Sequence, residues 1–433
     1  MSYCAYITRI KDIRKHSNAD RLQVGSCFGN QIIVSLETQE GDLGVYFPTD
    51  GRLGMEYCVE NNLLRMKDVN GNQCGGYLEP EKRHVSSLKL RGETSDGLFM
   101  PLTSLSKFTD IKTLKEGDMI TVLNGATICE KYIPKSNRKG SSGNSNATKK
   151  QKKKKTFKYF EEHIDTEQLA YNKHQFKEGD LCYITLKMHG TSGRTSYTIE
   201  ETEKKKNILD RIFKREKLIR QWNYASGTRR VILDFNNDQN KGFYNDDEFR
   251  RKYHDLITPR LQKGETIYYE IVGWVNKNTS IMPECSNKKV NDKDFIKMYG
   301  DTTRFTYGCE QGENDIYVYR MTMTNEDGFI VEYPQELVKL RCEQMGLKMV
   351  PEFDKFIYST EEDMMQRIEK YYDGIDPIGK SHIREGVVIR IDGKEKFKAF
   401  KHKNIWFKIL EGIVKVDADA PDIEEAQELE IGA

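Results

Sequence analysis

From Lys135 to Lys158 the chain passes through serine, glycine, asparagine and a block of lysines with scarcely an apolar side chain. Such a stretch cannot bury enough surface to offset the entropy lost on ordering it. Folding must therefore happen on either side of it, in two units joined by a tether. The boundaries read as a first domain over 1–130, a flexible Lys/Ser/Gly-rich linker over 131–158 and a second domain over 159–415. An acidic tail over 416–433 is expected to fray. The lysine cluster in the linker (Lys149, Lys150, Lys152 to Lys155) is a solvated tether, a non-specific phosphate grip or a localisation signal.

The second unit opens with an apolar, strand-like run, Leu181, Tyr183, Ile184 and Leu186, that ends on Lys187 and a turn through Met188, His189 and Gly190 to Thr191 and Ser192. A lysine at a strand end, where glycine lets a phosphate and its metal approach the backbone, suits a nucleophile that attacks a nucleotide's α-phosphate. Most lysines after strands are merely solvated, so weight falls on the downstream residues and their order. Ser226, Gly227, Thr228, Arg229 and Arg230 precede Val231, Ile232 and Leu233; an arginine there can reach a phosphate or sugar, or sit on a solvated turn. Glu270 interrupts the β-rich run Ile267 to Trp274, and a carboxylate among buried neighbours needs a partner. Asp315 to Met321 reads as a strand whose Tyr317 or Tyr319 could stack on a purine, although core packing is the commoner fate of a strand tyrosine. Glu385 heads the apolar strand Val387, Val388 and Ile389 and can hold a hydrated Mg²⁺. Lys401 and Lys403 alternate, which puts two ammonium groups on one strand face where an anion such as triphosphate would lie between them.

Taken together, KMHGTS, IYYEIVG, REGVVIR and KHKN resemble, in order, the motifs of the covalent nucleotidyltransferases, the superfamily of polynucleotide ligases and capping enzymes. The His-Gly-Thr and KHKN forms resemble RNA ligases more than DNA ligases, which usually carry aspartate where His189 stands. In the first unit, the phrases around Gly41 to Asp50 and Leu88 to Leu98 resemble the RNA ligase 5 family. The resemblance implies an α+β chain: an N-terminal OB-like β-barrel joined to a nucleotidyltransferase (ATP-grasp-like ligase) domain of antiparallel sheets with flanking helices. Without it, the first unit still reads as short strands punctuated by Gly and Asp turns, as in a small barrel.

By the same resemblance Lys187 would take AMP from ATP, with Mg²⁺ or Mn²⁺ held through Glu385. Nucleotide contacts would come from His189, Gly190, Ser192, Arg229, Glu270, Tyr319, Lys401 and Lys403. The AMP would then pass to a 5′-phosphate, and a 3′-hydroxyl RNA end would be sealed to it, at nicks in duplexes during RNA repair. A GTP-using capping guanylyltransferase and an ATP-dependent DNA ligase share the lysine chemistry. Two departures stand out: His189 lacks the carboxylate that holds metal-bound water in Asp-containing relatives, and apolar Leu186 precedes the nucleophile, so any adenine contact there must come from the main chain.

The remaining features set bounds. With 69 basic against 67 acidic residues in 433, global charge does not draw nucleic acid, and RNA binding must be local. Nine cysteines without a Cys-x-x-Cys pair suggest free thiols in a reducing, intracellular compartment, cytoplasmic or nuclear if the lysine run is a signal. No apolar run is long enough to span a membrane, no signal-peptide pattern is present, and a monomer is expected. Lys204 to Arg220 carries Ile208, Leu209, Ile212, Phe213, Leu218 and Ile219 at spacings that allow an amphipathic helix. Glu-Gly-Asp recurs at 40–42, 116–118 and 178–180, which points to repeated turn chemistry rather than a duplicated domain.

Overall fold

The computed structural model describes residues 3–67, 71, 73–134, 156–203, 218–235, 244 and 246–417. The linker from 135 to 155, the stretch 204–217 and the tail from 418 lie outside them. The chain is mixed α/β and rich in sheet. Leu218, Ile219 and Arg220, expected to close a helix, instead begin the strand Leu218–Gly227. That strand pairs antiparallel with Thr191–Glu203 over ten registered positions, from Arg194↔Gly227 to Glu203↔Leu218. A ladder of this length overrides a local helical spacing.

Two sheets carry the second unit. The first is ordered Glu167–Gln168, Lys398–Lys403, Gly386–Ile391, Leu181–Leu186, Glu352–Ile357. Only its outermost pair, Glu167–Gln168 with Lys398–Lys403, is parallel. Its core of Ile184, Val387, Ile389 and Phe400 is closed by Met364 and Ile368 from the helix Glu361–Glu369. Each such aliphatic side chain taken fully out of water contributes about 1.5–3 kcal/mol. The second sheet runs Leu218–Gly227, Thr191–Glu203, Glu265–Asn276, Asn314–Thr324, Ile330–Glu332. The chain leaves the first sheet at Leu186 and enters the second at Thr191. Lys187 therefore stands where the two sheets meet.

The first unit is also sheet-rich, but its strands fall into separate small sheets, and no closed barrel is found among the described residues. Ala5–Arg9 and Leu43–Phe47 are central to one, flanked by Leu98–Pro101 and Met119–Ile120. The unit packs on the second one. Tyr171 stacks on Tyr6, ring centroids 4.8 Å apart, and meets Phe28 edge-on at 5.2 Å. Asp96 pairs with Lys408, and Lys89 pairs with Asp292 while lying 4.9 Å over the Trp406 ring. The Leu88 to Leu98 phrase is thus the hairpin that faces the second unit.

The three Glu-Gly-Asp turns are alike in structure. Gly41, Gly117 and Gly179 have φ of +83°, +96° and +88°. Each aspartate accepts a backbone N–H from the residue three positions before it: Gln39 to Asp42, Lys115 to Asp118, Lys177 to Asp180. A positive φ at the third turn position calls for glycine, and the aspartate closes the loop on itself.

Candidate active site

The Lys187 backbone N–H donates to the Gly386 carbonyl at 3.0 Å, the last rung tying the lysine strand to Gly386–Ile391. This rung brings Lys187 Nζ to 2.8 Å from Glu385 Oε1, with side-chain exposures of 16% and 2%. The next turn of the chain is forced close to the second sheet. A Cβ on Gly190 would lie 2.3 Å from the Ile271 carbonyl oxygen and 3.0 Å from Glu270 Cγ. Only glycine lets Ser192 reach its register opposite Glu270, where its Oγ donates to Glu270 Oε2 at 3.3 Å. Behind it, the buried Arg250 from the helix Glu248–Ile257 donates to the Ser192 carbonyl at 3.0 Å and to Thr191 Oγ1 at 2.7 Å. Arg250 was not singled out from sequence, where it looks like one more charge on a polar helix.

The pairing of Glu265–Asn276 with Asn314–Thr324 shifts register between Tyr268 and Tyr269: Tyr268 faces Arg320, Tyr269 faces Val318, and Tyr319 is left over. Such a bulge re-aims a side chain. Tyr319 lines the cleft, its hydroxyl 2.9 Å from His163 Nδ1. Tyr317 is buried in the hydrophobic core instead, with its hydroxyl donating to Asp315 at 3.4 Å. The two tyrosines that alternation makes equivalent are thereby separated.

Arg229 is buried and pairs with Asp165, while Arg230 reaches Glu162 at 3.3 Å and Asp165 at 3.4 Å. Both arginines grip the segment entering from the linker side. Arg194, 1% exposed, holds the same segment by donating to the Phe160 and Glu161 carbonyls at 3.1 and 2.6 Å. Lys401 and Lys403 lie on one face of Lys398–Lys403, as alternation predicts, opposite Val388 and Gly386. Lys403 Nζ is 3.3 Å from Glu385 Oε1 and 2.9 Å from Glu411 Oε2.

His189 stands behind the nucleophile rather than in the cleft wall. Its ring meets Phe305 and Phe407 edge-on at 4.8 and 4.7 Å, and its backbone N–H donates to the Tyr307 hydroxyl at 2.7 Å. Burial pushes its pKa down to about 4, against the opposing pull of Glu385. The imidazole is thus held neutral and packed among aromatic rings.

Between the sheets lies a cleft open to solvent. Lys187, Ser192, Glu270 and Tyr319 line it; Arg229, Lys401, Lys403 and Glu385 are outside its wall. Sequence reasoning missed Gln335 and Arg390, which also line it and are joined at 3.1 Å, and the apolar Val350. Gln335 begins a helix and Val350 comes after it, so nothing local announces that either lines the same cleft as Lys187.

Glu385 suits a divalent cation. Its Oε2 is buried and accepts no hydrogen bond, with His189 Nδ1 3.7 Å away. No group of three or more His, Cys, Asp or Glu side chains clusters as a metal cage among the described residues. A cation here would be held by one carboxylate, waters and substrate phosphates, an arrangement magnesium readily adopts.

The model of the RNA ligase family matches residues 180–410, more than half of the chain, and takes in the site residues from Lys187 to Lys403. The chain belongs to the RNA ligase family. Solved structures of Naegleria gruberi RNA ligase have a similar fold. One variant with ATP and manganese is 16% identical, with TM-score 0.55, covering 96% of this chain and 99% of that one. The same enzyme with pyrophosphate gives 16% identity and TM-score 0.54 over 96% and 99%. A further variant with ATP and manganese gives 17% and 0.55 over 93% and 98%. No curated protein sequence matches. Among the described residues of this RNA ligase family member, no helix is long and apolar enough to cross a membrane.

Proposed function

We propose that this RNA ligase family member is ATP-dependent, forms a lysyl-AMP at Lys187, and uses it to seal a 5′-phosphate to a 3′-hydroxyl RNA end at nicks. The carrying observation is the Lys187–Glu385 contact at the junction of two sheets, where Lys187 lines the cleft together with Ser192, Glu270 and Tyr319. Only the free amine of Lys187 can attack.

In the first step Lys187 Nζ bonds to the α-phosphorus, the bond to pyrophosphate breaks, and the amine proton leaves to solvent. In the second, an RNA 5′-phosphate oxygen attacks that phosphorus, the P–N bond breaks and the lysine regains a proton. In the third, a 3′-hydroxyl attacks the adenylated 5′-phosphate, loses its proton and expels AMP. Catalysis is chiefly positioning and charge stabilisation. Tyr319 supplies a face for adenine, Glu270 and Ser192 are placed for ribose hydroxyls, and Lys401, Lys403 and Arg229 supply positive charge. Glu385 would hold Mg²⁺ or Mn²⁺, which supplies neutralisation of phosphate charge. The N-terminal unit, read as OB-like, would grip the duplex beside the nick.

Incubation with α-labelled ATP or GTP, and then with nicked duplexes carrying RNA or DNA on the 3′-hydroxyl side, tests this reading. It predicts label from ATP and sealing that requires RNA. A GMP adduct alone would point to capping chemistry, and sealing indifferent to RNA would point to a DNA ligase.

A further inference from the structure

Beside Lys187 four charges alternate. Lys187 Nζ lies 2.8 Å from Glu385 Oε1, the same oxygen is 3.3 Å from Lys403 Nζ, and Lys403 is 3.0 and 2.9 Å from the two oxygens of Glu411. Glu411 belongs to the helix Ile405–Asp417, which starts directly after the lysine-bearing strand. Asn404, Phe407 and Glu411 are spaced to share one helix face. Asn404 is wholly buried and accepts the Trp406 N–H at 2.9 Å, and its own N–H donates to the Glu385 carbonyl at 2.8 Å. Phe407, also fully buried, lies under Lys403 with the ammonium 5.4 Å from its ring centroid. The helix start is therefore fixed to Glu385 through the main chain, and Glu411 is held at a set distance from it.

Glu385 Oε1 is claimed by two cations, yet Lys403 lies closer to Glu411 and meets both its oxygens. Were Glu411 uncharged, Lys403 would lose the carboxylate it meets through both oxygens, and its charge would weigh more on Glu385, 3.3 Å away, in competition with a divalent cation at Oε2.

We propose that Glu411 is a positioning residue: it shares the charge of Lys403 and so limits the hold of Lys403 on Glu385, leaving that carboxylate able to take a divalent cation through Oε2. This rests on the ligase reading. Glu411 touches neither nucleotide nor metal in this account and acts through Lys403.

The test is Mn²⁺ binding to the full-length protein in the presence of a non-hydrolysable ATP analogue, monitored by the EPR signal of free Mn²⁺. In parallel, the Mn²⁺ dependence of label uptake from ATP is measured. Glu411→Gln should raise the half-saturating Mn²⁺ in both by about tenfold, the effect of roughly 1.4 kcal/mol. Label uptake at saturating Mn²⁺ should stay within about threefold of wild type, since the reacting atoms are untouched. Glu411→Asp, which keeps the charge, should recover most of the Mn²⁺ affinity. With Lys403→Gln in the background, adding Glu411→Gln should change Mn²⁺ binding no further, because the residue through which it acts is gone.

Unchanged Mn²⁺ binding in Glu411→Gln would overturn the proposal, as would an equal effect with and without Lys403. Were Glu411→Gln not to fold, wild-type-like Mn²⁺ binding by Glu411→Asp would support it, and a full loss of binding in that folded variant would overturn it. Wild-type protein that takes no label from ATP would instead remove the ligase reading itself.

Discussion

Substituting Gly190 by alanine tests whether the cleft geometry is imposed by backbone approach. The new Cβ would sit 2.3 Å from the Ile271 carbonyl oxygen, against 3.4–4 Å for ordinary contact, so something must move by roughly 1 Å. Ile271 lies in an interior strand registered with Thr191 on one side and Ile316 on the other. That carbonyl cannot swing away as a side chain can, and the turn carrying Lys187 must give instead. Misplacement of a reacting group by about 1 Å costs on the order of a hundredfold in rate. Overpacking of this kind costs about 1–3 kcal/mol of stability. Single-turnover uptake of label from saturating ATP isolates the rate from ATP affinity, and a thermal melt checks the fold. Gly179→Ala is the contrast: a Cβ there meets nothing within 4 Å, but φ is +88°, so stability should fall while the rate holds. A Gly190→Ala protein with label uptake within about threefold of wild type would refute the reasoning, because strain would then not reach Lys187.

Tyr319→Ala should raise the KM for ATP about tenfold or more through loss of stacking worth about 1–3 kcal/mol, whereas Tyr319→Phe, which keeps the ring, and Tyr317→Phe, buried elsewhere, should leave KM nearly unchanged; steady-state adenylylation kinetics decide. Burial holds His189 and His402 near a pKa of about 4, below the roughly 6.5 of an unfolded chain. Lowered folded values mean that the unfolded state binds the protons first. Stability should therefore be full above about pH 6.5 and decline toward pH 4, by about 1.4 kcal/mol per pH unit for each proton taken up. Urea unfolding at a series of pH values should show this slope reduced by one proton in His402→Phe; an unchanged slope would show that His402 is not held neutral. Asp96→Ala leaves Lys408 without its buried partner at the junction of the two units, which should cost about 3–5 kcal/mol, and urea melts of Asp96→Ala, Lys408→Ala and the double variant would measure the coupling.

Much of the second unit was legible because its strands carry their own pattern. Leu181–Leu186 is buried almost throughout and reads as a continuous apolar run, and the chemistry-bearing residues interrupt such runs. What escaped reading depends on registers between distant segments. Alternation puts Tyr317 and Tyr319 on one face, and only the bulge opposite Tyr268 and Tyr269 distinguishes them. His163, Thr166 and Asp165 come from an irregular segment, where periodicity has nothing to report. Leu218 to Arg220 had helical spacing, and a long cross-strand ladder decided otherwise. In the first unit the short strands and Gly-Asp turns were visible, but whether sheets close into a barrel depends on pairings that no local pattern encodes. Glu411 was within reach, since its spacing from Phe407 and Asn404 marks one helix face.

The most direct measurement is intact-protein mass spectrometry after exposure to ATP and Mn²⁺, with peptide mapping of the adduct. The account predicts one AMP per chain, bonded through phosphorus to Lys187 Nζ, and none on Lys187→Ala. An adduct that persists in Lys187→Ala, maps elsewhere, or never forms on the native protein would contradict it.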